Sequence, residues 1–308
     1  MKIPVEKTIG DTYKFAFSNF VSLFGIAWLP VIIMLAAVAG LVWMILPDIH
    51  SIDFSAQPDI VRNQEISTRI MWKLIPAIVP LEFLFYLLFA MIMEGTQRKA
   101  LGLIQGPIFV YFSLGGAVWR LLGGMIAAVV LIVIGSCAAG AGVAFIFWLG
   151  DHFHLPGIYG LVEFVAVVAG ICWFFYMTLR LVFFIPPAVV AEGGFGIARS
   201  WQLSKGNFWP MVGVFLACCV APAIALSIIS NVVFMPFMTE PMMRIQEAAN
   251  NNQVIPPDQL VAMFMDAFRK VIPYLIAYEI ITVPILIGLQ NAMSAFAYRN
   301  ITRSEIAA

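Results

Sequence analysis

The stretch FVSLFGIAWLPVIIMLAAVAGLVWMIL, residues 20–46, decides the fold class, because it contains no charged side chain over its whole length. A helix needs about 20 mainly apolar residues to cross the hydrocarbon core of a bilayer. This stretch exceeds that length, and it is therefore predicted to form a membrane-spanning helix.

Five further stretches meet the same criterion of length and hydrophobicity. Together with the first they give six predicted spans: 20–46, 71–93, 121–149, 160–185, 209–237 and 271–296. The more polar segments between them are predicted to lie outside the hydrocarbon: 47–70, 94–108, 150–159, 188–208 and 238–270. The sequence thus predicts an all-α integral membrane protein with six transmembrane helices, built as a single membrane domain over residues 1–308.

The composition agrees with this class of protein. Apolar residues make up 62% of the chain and charged residues 11%, whereas soluble domains are near half apolar and a quarter charged. The formal net charge is zero, so no basic field indicates a nucleic-acid partner. The four cysteines lie in apolar runs and are predicted to act as small hydrophobic residues, with no disulfide framework or zinc site.

The distribution of basic residues predicts the orientation. With the N-terminus in the cytoplasm, eleven of the seventeen Lys and Arg residues fall on the cytoplasmic side and six on the outer side. Because cytoplasmic loops carry the excess of Lys and Arg, the N-terminus is predicted to be cytoplasmic. Six spans then place the C-terminus in the cytoplasm as well.

The chain is predicted to repeat one unit three times, over residues 4–97, 100–187 and 190–300. The pattern NFVxxxG from Asn19 matches NFWxxxG from Asn207, and WxxxG from Trp119 fits the same position at the start of the third span. Each unit is read as a helical hairpin preceded by a cytoplasmic amphipathic helix. Repeated units are common in membrane folds that build a site at the repeat interface.

The amphipathic helix of the first unit has its apolar residues on one face: Val5, Ile9, Tyr13, Phe17 and Phe20. Its counterparts are predicted near residues 197–208 and, in a more apolar form, 108–120. This pattern is typical of helices that lie in the headgroup layer. The alternative is that these helices only pack on the bundle.

The stretch AEGGFGIARSWQLSKGNFW, residues 191–209, carries a family resemblance. It resembles the bacterial YciC-like family, which is related to the membrane domain of glycerophosphoryl diester phosphodiesterases. The resemblance implies six helices in the bacterial inner membrane. It does not imply phosphodiesterase activity, because in those enzymes catalysis belongs to a separate soluble barrel domain for which this chain has no counterpart. We also find no Walker, HExxH, GxSxG or CxxC motif, and predict that the chain is not an enzyme.

Polar residues inside spans are one class of candidate site. Ionisable groups in a membrane are costly and suggest function. Glu82, Glu163 and Glu279 each lie in the returning helix of a unit, where a threefold bundle could gather them around one pocket, with Asn231 as a further polar candidate. Such a pocket could bind a cation, a proton or a polar headgroup. Alternatively, each is a separate residue hydrogen-bonded to a neighbouring helix or water.

Basic and aromatic residues on the cytoplasmic side are the second class. They are candidates for contact with a lipid headgroup or a protein partner: Arg98, Lys99, Arg180, Arg199, Trp201, Lys205 and Trp209. This mixture suits anionic lipid phosphate, although charges that only set topology, flanked by an aromatic belt, would look the same. Gly206 is predicted to end the helix that contains the Arg199-Ser200-Trp201 motif.

No cofactor or metal is predicted. Two histidines, His152 and His154, could touch a metal together with the acid Asp151. Beyond these, the sequence nearby offers no further strong ligand. We expect a non-enzymatic membrane protein that binds lipid, a membrane-protein partner or a second copy of itself in the organisation of the envelope. The alternative is a small transporter or channel that uses the intramembrane glutamates.

Overall fold

The structure is a computed structural model that describes residues 2–51, 60–153, 159–251 and 255–306. Every regular element in these ranges is helical. The helices are α1 (Val5–Ser18), α2 (Phe20–His50), α3 (Ile60–Ala100), α4 (Gly116–Phe153), α5 (Tyr159–Val182), α6 (Ile185–Glu192), α7 (Ile197–Ser204), α8 (Phe208–Phe215), α9 (Ala221–Asn250) and α10 (Pro257–Ile306). A short π-helical segment, Leu216–Val220, joins α8 to α9.

Six stretches of helix among the described residues are long and apolar enough to cross a membrane, which confirms the predicted number. They are Phe20–Ile49, Val61–Ala100, Gly116–Leu149, Gly160–Glu192, Phe208–Ala248 and Ala262–Arg303. Their mean hydropathy lies between 1.9 and 2.6. The fold is that of a multi-pass membrane protein.

Several helices extend well beyond the predicted spans. The α3 helix has 41 residues and α10 has 50, which at 1.5 Å per residue is about 60 and 75 Å, against about 30 Å of hydrocarbon. Much of the predicted polar segments 47–70 and 238–270 is therefore helical. Hydropathy detects only the part of a helix that is apolar enough for lipid, so it ends a span before the helix itself ends.

The packed core lies at one end of the bundle, which holds α1 and the last turns of α10 and is called the α1 end below. Consecutive long helices pack against each other as α2 with α3, α4 with α5, and α9 with α10. All the larger clusters of buried apolar side chains draw on the α1 end, where Leu23, Phe184 and Met211 are fully enclosed. By contrast, no described residue between 133 and 178 is buried. That surface is left for lipid to cover.

The first predicted amphipathic helix is present as α1, and one of its faces packs against the rest of the protein. The face of α1 that carries Thr8, Thr12, Phe15 and Ala16 is buried, and the helix packs along α10. Phe17, on another face, is 60% exposed. The contacts of α1 therefore correspond to the alternative of packing on the bundle, and seating in the headgroup layer stays a prediction for its exposed side.

The prediction of an amphipathic helix over residues 108–120 is wrong for the first half of that range. Residues 101–115 form an irregular segment, called the strap below, and α4 begins only at Gly116. Gly102 and Gly106 have φ of 80° and 79°, a conformation that L side chains rarely adopt. Gly102 lies where α3 ends, with its N–H bonded to the Lys99 carbonyl. Pro107, next to Gly106, lacks the N–H that a helix would need. The middle one of the three predicted units therefore starts without the predicted helix.

Pro222 accounts for the π segment, and a side chain of α1 supplies the hydrogen-bond donor that Pro222 lacks. In a π-helix the N–H of residue i bonds to the carbonyl of residue i−5, as the N–H of Ala221 does with Leu216. The next donor would be Pro222, which has no N–H, so the carbonyl of Ala217 lacks this partner. The hydroxyl of Tyr13 donates to that carbonyl instead, at 2.8 Å. This bond ties α1 to the start of the fifth span.

Candidate functional site

The Arg199-Ser200-Trp201 motif holds the chain where it turns from α5 into α6. The hydroxyl of Ser200 is fully buried, donates to the carbonyl of Arg180 at 2.9 Å and accepts from the N–H of Phe184 at 3.2 Å. It thereby satisfies backbone groups that the end of α5 leaves without helical partners. Gly206 has φ of 76° and follows the end of α7, as predicted.

Arg180 lies in a cage of neutral groups. Its guanidinium is 3.7 Å from the ring centre of Trp201 and 5.3 Å from that of Tyr176. It donates to the hydroxyls of Tyr176 at 2.6 Å and Ser204 at 3.1 Å, and to the carbonyl of Trp201 at 3.3 Å. Arg180 is only 9% exposed, and within the described residues no carboxylate forms an ion pair with it. Its contacts join α5 to α7 through cation–π and hydrogen bonds.

Glu192 links three helices at the α1 end. Its Oε1 accepts from the Nε of Arg199 at 2.9 Å and from the hydroxyl of Tyr298 at 2.7 Å. The Glu192 side chain is 41% exposed and that of Arg199 28%. The pair is thus open to solvent or to a ligand on one side, while Tyr298 of α10 fixes the carboxylate on the other.

An open groove of about 730 Å³ runs between α6 and α7 and is lined by both members of this pair. Its walls combine charged, aromatic and aliphatic side chains, among them Phe195, Ile197, Trp201 and Gln202. Phe195 is 61% exposed, and its backbone is held against α4, where an added Cβ at Gly124 would overlap the Phe195 carbonyl. The groove therefore offers a cation, an anion and an apolar wall within one concave surface.

A buried polar cluster on α3 was not predicted. Glu94 is fully buried and is held by Arg98, one turn further along α3, and by the hydroxyl of Tyr111 from the strap. Burial raises the pKa of Tyr111 above its ordinary value, and the hydrogen bond with Glu94 raises it further. About one turn further along α3, the Nε2 of Gln97 donates to two groups of α10, the Asn291 carbonyl at 2.6 Å and the Ser294 hydroxyl at 2.9 Å.

Sequence reasoning missed Glu94 because it falls at the edge of a span beside two basic residues, where a carboxylate is ordinarily solvated. The one available signal is the i, i+4 spacing of Glu94 and Arg98, which favours an ion pair on a helix. That spacing carries no information about burial. The burial follows from the strap, which covers this face of α3.

Most of the predicted basic set is engaged within the protein. Arg98 pairs with Glu94, Lys99 donates to the carbonyl of Gly106 in the strap, and Arg199 pairs with Glu192. Two other members are exposed: Lys205, just after α7, and Trp209, which is 77% exposed at the start of α8. The rim of the α1 end is therefore less basic in net terms than the residue types alone indicated.

The intramembrane candidates do not form an interior pocket from the side chains that are described. Glu82 of α3 and Glu279 of α10 are both exposed. Asn231 is exposed as well and donates to the Ser227 carbonyl at 2.8 Å within its own helix α9, so it makes no bond to a neighbouring helix there. Glu163 lies in α5, but its side chain is outside the described part. Glu82 and Glu279 thus lie at exposed positions of long apolar helices, and the convergence of the three glutamates stays a prediction.

No group of three or more His, Cys, Asp and Glu residues that could hold a metal occurs among the described residues. His152 stacks on Trp148 at 5.4 Å between ring centres, and His154 lies outside the described residues.

Comparison of the chain with protein-family models, curated proteins and solved structures finds no match. The resemblance of residues 191–209 to the YciC-like family therefore stays a prediction.

Proposed function

We propose that the chain is a non-enzymatic, multi-pass protein of the bacterial inner membrane that binds phospholipid headgroups, or a membrane-protein partner, in the organisation of the envelope. The observation that carries the proposal is the groove between α6 and α7, which brings Arg199, Glu192 and Trp201 together on one open concave surface.

The chemistry of the groove suits a phospholipid headgroup. The Arg199 guanidinium matches a phosphate, for which arginine offers planar, charge-assisted hydrogen bonds. Glu192, 41% exposed, matches an ammonium or hydroxyl on the same headgroup. Trp201 and Phe195, 40% and 61% exposed, suit the boundary between headgroups and acyl chains, where aromatic rings are enriched. Lys205 would add attraction for anionic lipid.

The finer topology belongs to the same proposal. Both termini are cytoplasmic, as the excess of basic residues on that side indicates, and the groove then faces the cytoplasmic leaflet. The three pairs α2–α3, α4–α5 and α9–α10 act as three related hairpins, and α1 and α7 are the amphipathic helices that precede the first and last of them. The likeness of residues 191–209 to the YciC-like family supports this arrangement.

Native mass spectrometry of the purified protein tests the proposal. The protein is released from nanodiscs that contain phosphatidylglycerol, phosphatidylethanolamine or phosphatidylcholine, and the retained lipids are counted. We expect Arg199→Gln to weaken lipid retention about fivefold, since one basic residue near an anionic membrane contributes about 1 kcal/mol. The matched control is Arg244→Gln, which removes an exposed arginine that also pairs with a glutamate, Glu240, but at the opposite end of the bundle.

Comparison of the three nanodisc lipids distinguishes the possible ligands of the groove. Preferential retention of phosphatidylglycerol indicates an anionic phosphate site, and preferential retention of phosphatidylethanolamine indicates that Glu192 engages the ammonium. If wild type and Arg199→Gln retain the same lipids to the same extent, the groove is not a headgroup site. A co-purified membrane protein lost on Arg199→Gln would identify the partner form of the proposal.

The alternative of a small transporter or channel that uses the intramembrane glutamates receives less support. Glu82 and Glu279 are exposed on the bundle, whereas a transport site in a single copy requires inward-facing polar groups. Flux through vesicles that is abolished by Glu82→Gln and Glu279→Gln would favour this alternative over lipid binding.

A further inference from the structure

We propose that the strap, residues 101–115, lies within the membrane, with its apolar side chains among the acyl chains of the leaflet at the α1 end. This inference goes beyond the headgroup groove and does not depend on it. For residues 101–108 it replaces the sequence-based prediction that segment 94–108 lies outside the hydrocarbon. It rests on the hydrogen bonds, exposure and position of the strap itself.

The strap presents apolar side chains outward over a continuous run. Phe109 is 69% exposed, Val110 57%, Phe112 54% and Leu114 47%. Residues 101–115 contain no charged residue. An apolar surface of this kind is unfavourable in contact with water, and contiguous exposed patches normally mark a site of contact with lipid or protein.

Three backbone groups in the middle of the strap are bonded to α2. The N–H of Tyr111 donates to the carbonyl of Gly25 at 3.1 Å, and the N–H of Ile108 donates to the hydroxyl of Ser22 at 3.2 Å. The carbonyl of Phe109 accepts from the indole of Trp28 at 2.9 Å. Irregular backbone at membrane depth is tolerated where protein groups take the place of water as hydrogen-bond partners, and these bonds meet that condition at residues 108, 109 and 111.

The bonding partners of the strap lie inside the first candidate span. Gly25 and Trp28 are five and eight residues beyond Phe20, where that span begins. At 1.5 Å per residue this is about 8 and 12 Å along α2. The strap is therefore tied to α2 at positions that enter the apolar part of the bilayer.

The polar anchors all lie on the side of the strap that faces the bundle. Tyr111 reaches the buried Glu94, and its ring lies where an added Cβ at Gly95 would come within 2.8 Å. Ile108 is 8% exposed, and its carbonyl occupies the space that a side chain at Gly25 would fill. Gln105 is exposed, but Tyr111 and the polar groups of Ile108 turn inward, and the apolar side chains from Phe109 to Leu114 are left facing away from the protein.

Acyl chains fit this surface better than a soluble partner. The strap is flanked by exposed apolar residues of helices that span the membrane, Val21 of α2 at 53% and Trp119 of α4 at 47%. The surface of the strap thus continues the lipid-facing surface of α2 and α4. The strap also has no charged residue along its sequence, so it lacks the polar rim that protein interfaces usually carry.

Fluorescence quenching at single cysteines tests the position of the strap. The exposed Cys137 and Cys172 are first replaced by serine, while the buried Cys218 and Cys219 are kept. Phe109→Cys and Phe112→Cys are then labelled with an environment-sensitive dye in phosphatidylcholine–phosphatidylglycerol vesicles. Val133→Cys, 53% exposed in mid-span, is the lipid control, and Asn251→Cys, exposed just after the end of α9, is the water control.

We expect doxyl-labelled lipid to quench the dye at positions 109 and 112, as it does at 133, while aqueous iodide quenches only the dye at 251. Nitroxide near the headgroup should quench the strap positions more than nitroxide deep in the chain, with the reverse order at 133. Quenching by iodide at 109 and 112 would overturn the proposal, because the strap would then face water. Protection from both quenchers would also overturn it, since protein rather than lipid would then cover the strap.

Discussion

The two ends of the bundle differ in where their polar side chains find partners. At the α1 end, side chains far apart in sequence bond to each other in the interior, such as Gln97 with Ser294 and the Ile3 N–H with the Asn207 side chain. At the opposite end, ion pairs such as Glu240–Arg244 and Asp266–Lys270 are exposed and lie within single helices. Asp48 of α2 is a buried exception there, since it pairs with Lys73 of α3. The middle of the spans, between these ends, has few buried residues.

The difference follows from the solvent of each region. In the hydrocarbon a helix satisfies its own backbone, and lipid covers its apolar side chains, so helices need few mutual contacts there. At the α1 end, short helices and the strap leave backbone groups without helical partners. The chain supplies those partners from Ser22, Tyr13 and Ser200. Substitutions at the α1 end should therefore cost more than matched substitutions at the opposite end.

The largest difference is expected between two glutamates that both pair with an arginine one turn away. Glu94→Ala should lower the free energy of unfolding by about 3 kcal/mol, because it leaves the Arg98 and Tyr111 side chains without their buried partner. Glu240→Ala, at an exposed pair, should change it by less than about 0.5 kcal/mol. Equilibrium unfolding in mixed micelles with denaturing detergent measures both; equal losses would remove the distinction between the two ends.

The next effect compares two glycines of α2. An added Cβ at Gly25 would overlap the carbonyl of Ile108, whereas nothing lies within 4 Å of one at Gly40. Gly25→Ala should destabilise the protein by about 2 kcal/mol, since the strap must shift, and Gly40→Ala should leave stability unchanged or raise it slightly, since alanine favours helix. Protease sensitivity within residues 101–115 should rise only for Gly25→Ala; an intact strap in that variant would contradict the packing described here.

A smaller effect is expected at the turn between α5 and α6. Ser200→Ala removes a buried hydroxyl that bonds to two backbone groups, which should lower the free energy of unfolding by about 1.5 kcal/mol. Ser227→Ala, exposed on α9, serves as the control and should be neutral. The same detergent titration compares the pair, and a neutral Ser200→Ala would show that the motif 199–201 is not a structural clamp.

The smallest effect concerns the carbonyl left by Pro222. Tyr13→Phe should cost about 1 kcal/mol, because the Ala217 carbonyl loses its hydroxyl donor. Tyr274→Phe, at an exposed position of α10, should have no effect. Hydrogen exchange at the π segment should increase in Tyr13→Phe alone. Unchanged exchange there would mean that α1 does not hold the start of the fifth span.

The six spans, the amphipathic character of α1 and α7, and the helix break at Gly206 were predictable, because each depends on residues close together in the chain. The burial of Glu94, the partners of Arg199 and the path of the strap were not. Each requires contacts between distant residues, as with Gln97 and Asn291, which are 194 positions apart. The repeat pattern also predicted a helix over 108–120, where Gly102, Gly106 and Pro107 favour an irregular chain instead.

The sequence by itself determined that this is an all-helical membrane protein with six spans, because the thickness of a bilayer sets a length of apolar chain that can be read without knowing any contact. Only the tertiary structure decided which polar groups are enclosed and which face outward. Glu82 and Glu279, within apolar runs, are exposed, whereas Glu94, beside two basic residues, is buried. The reason is geometric: hydropathy reports where along the bilayer a residue lies, whereas burial depends on which side of its helix another part of the chain covers.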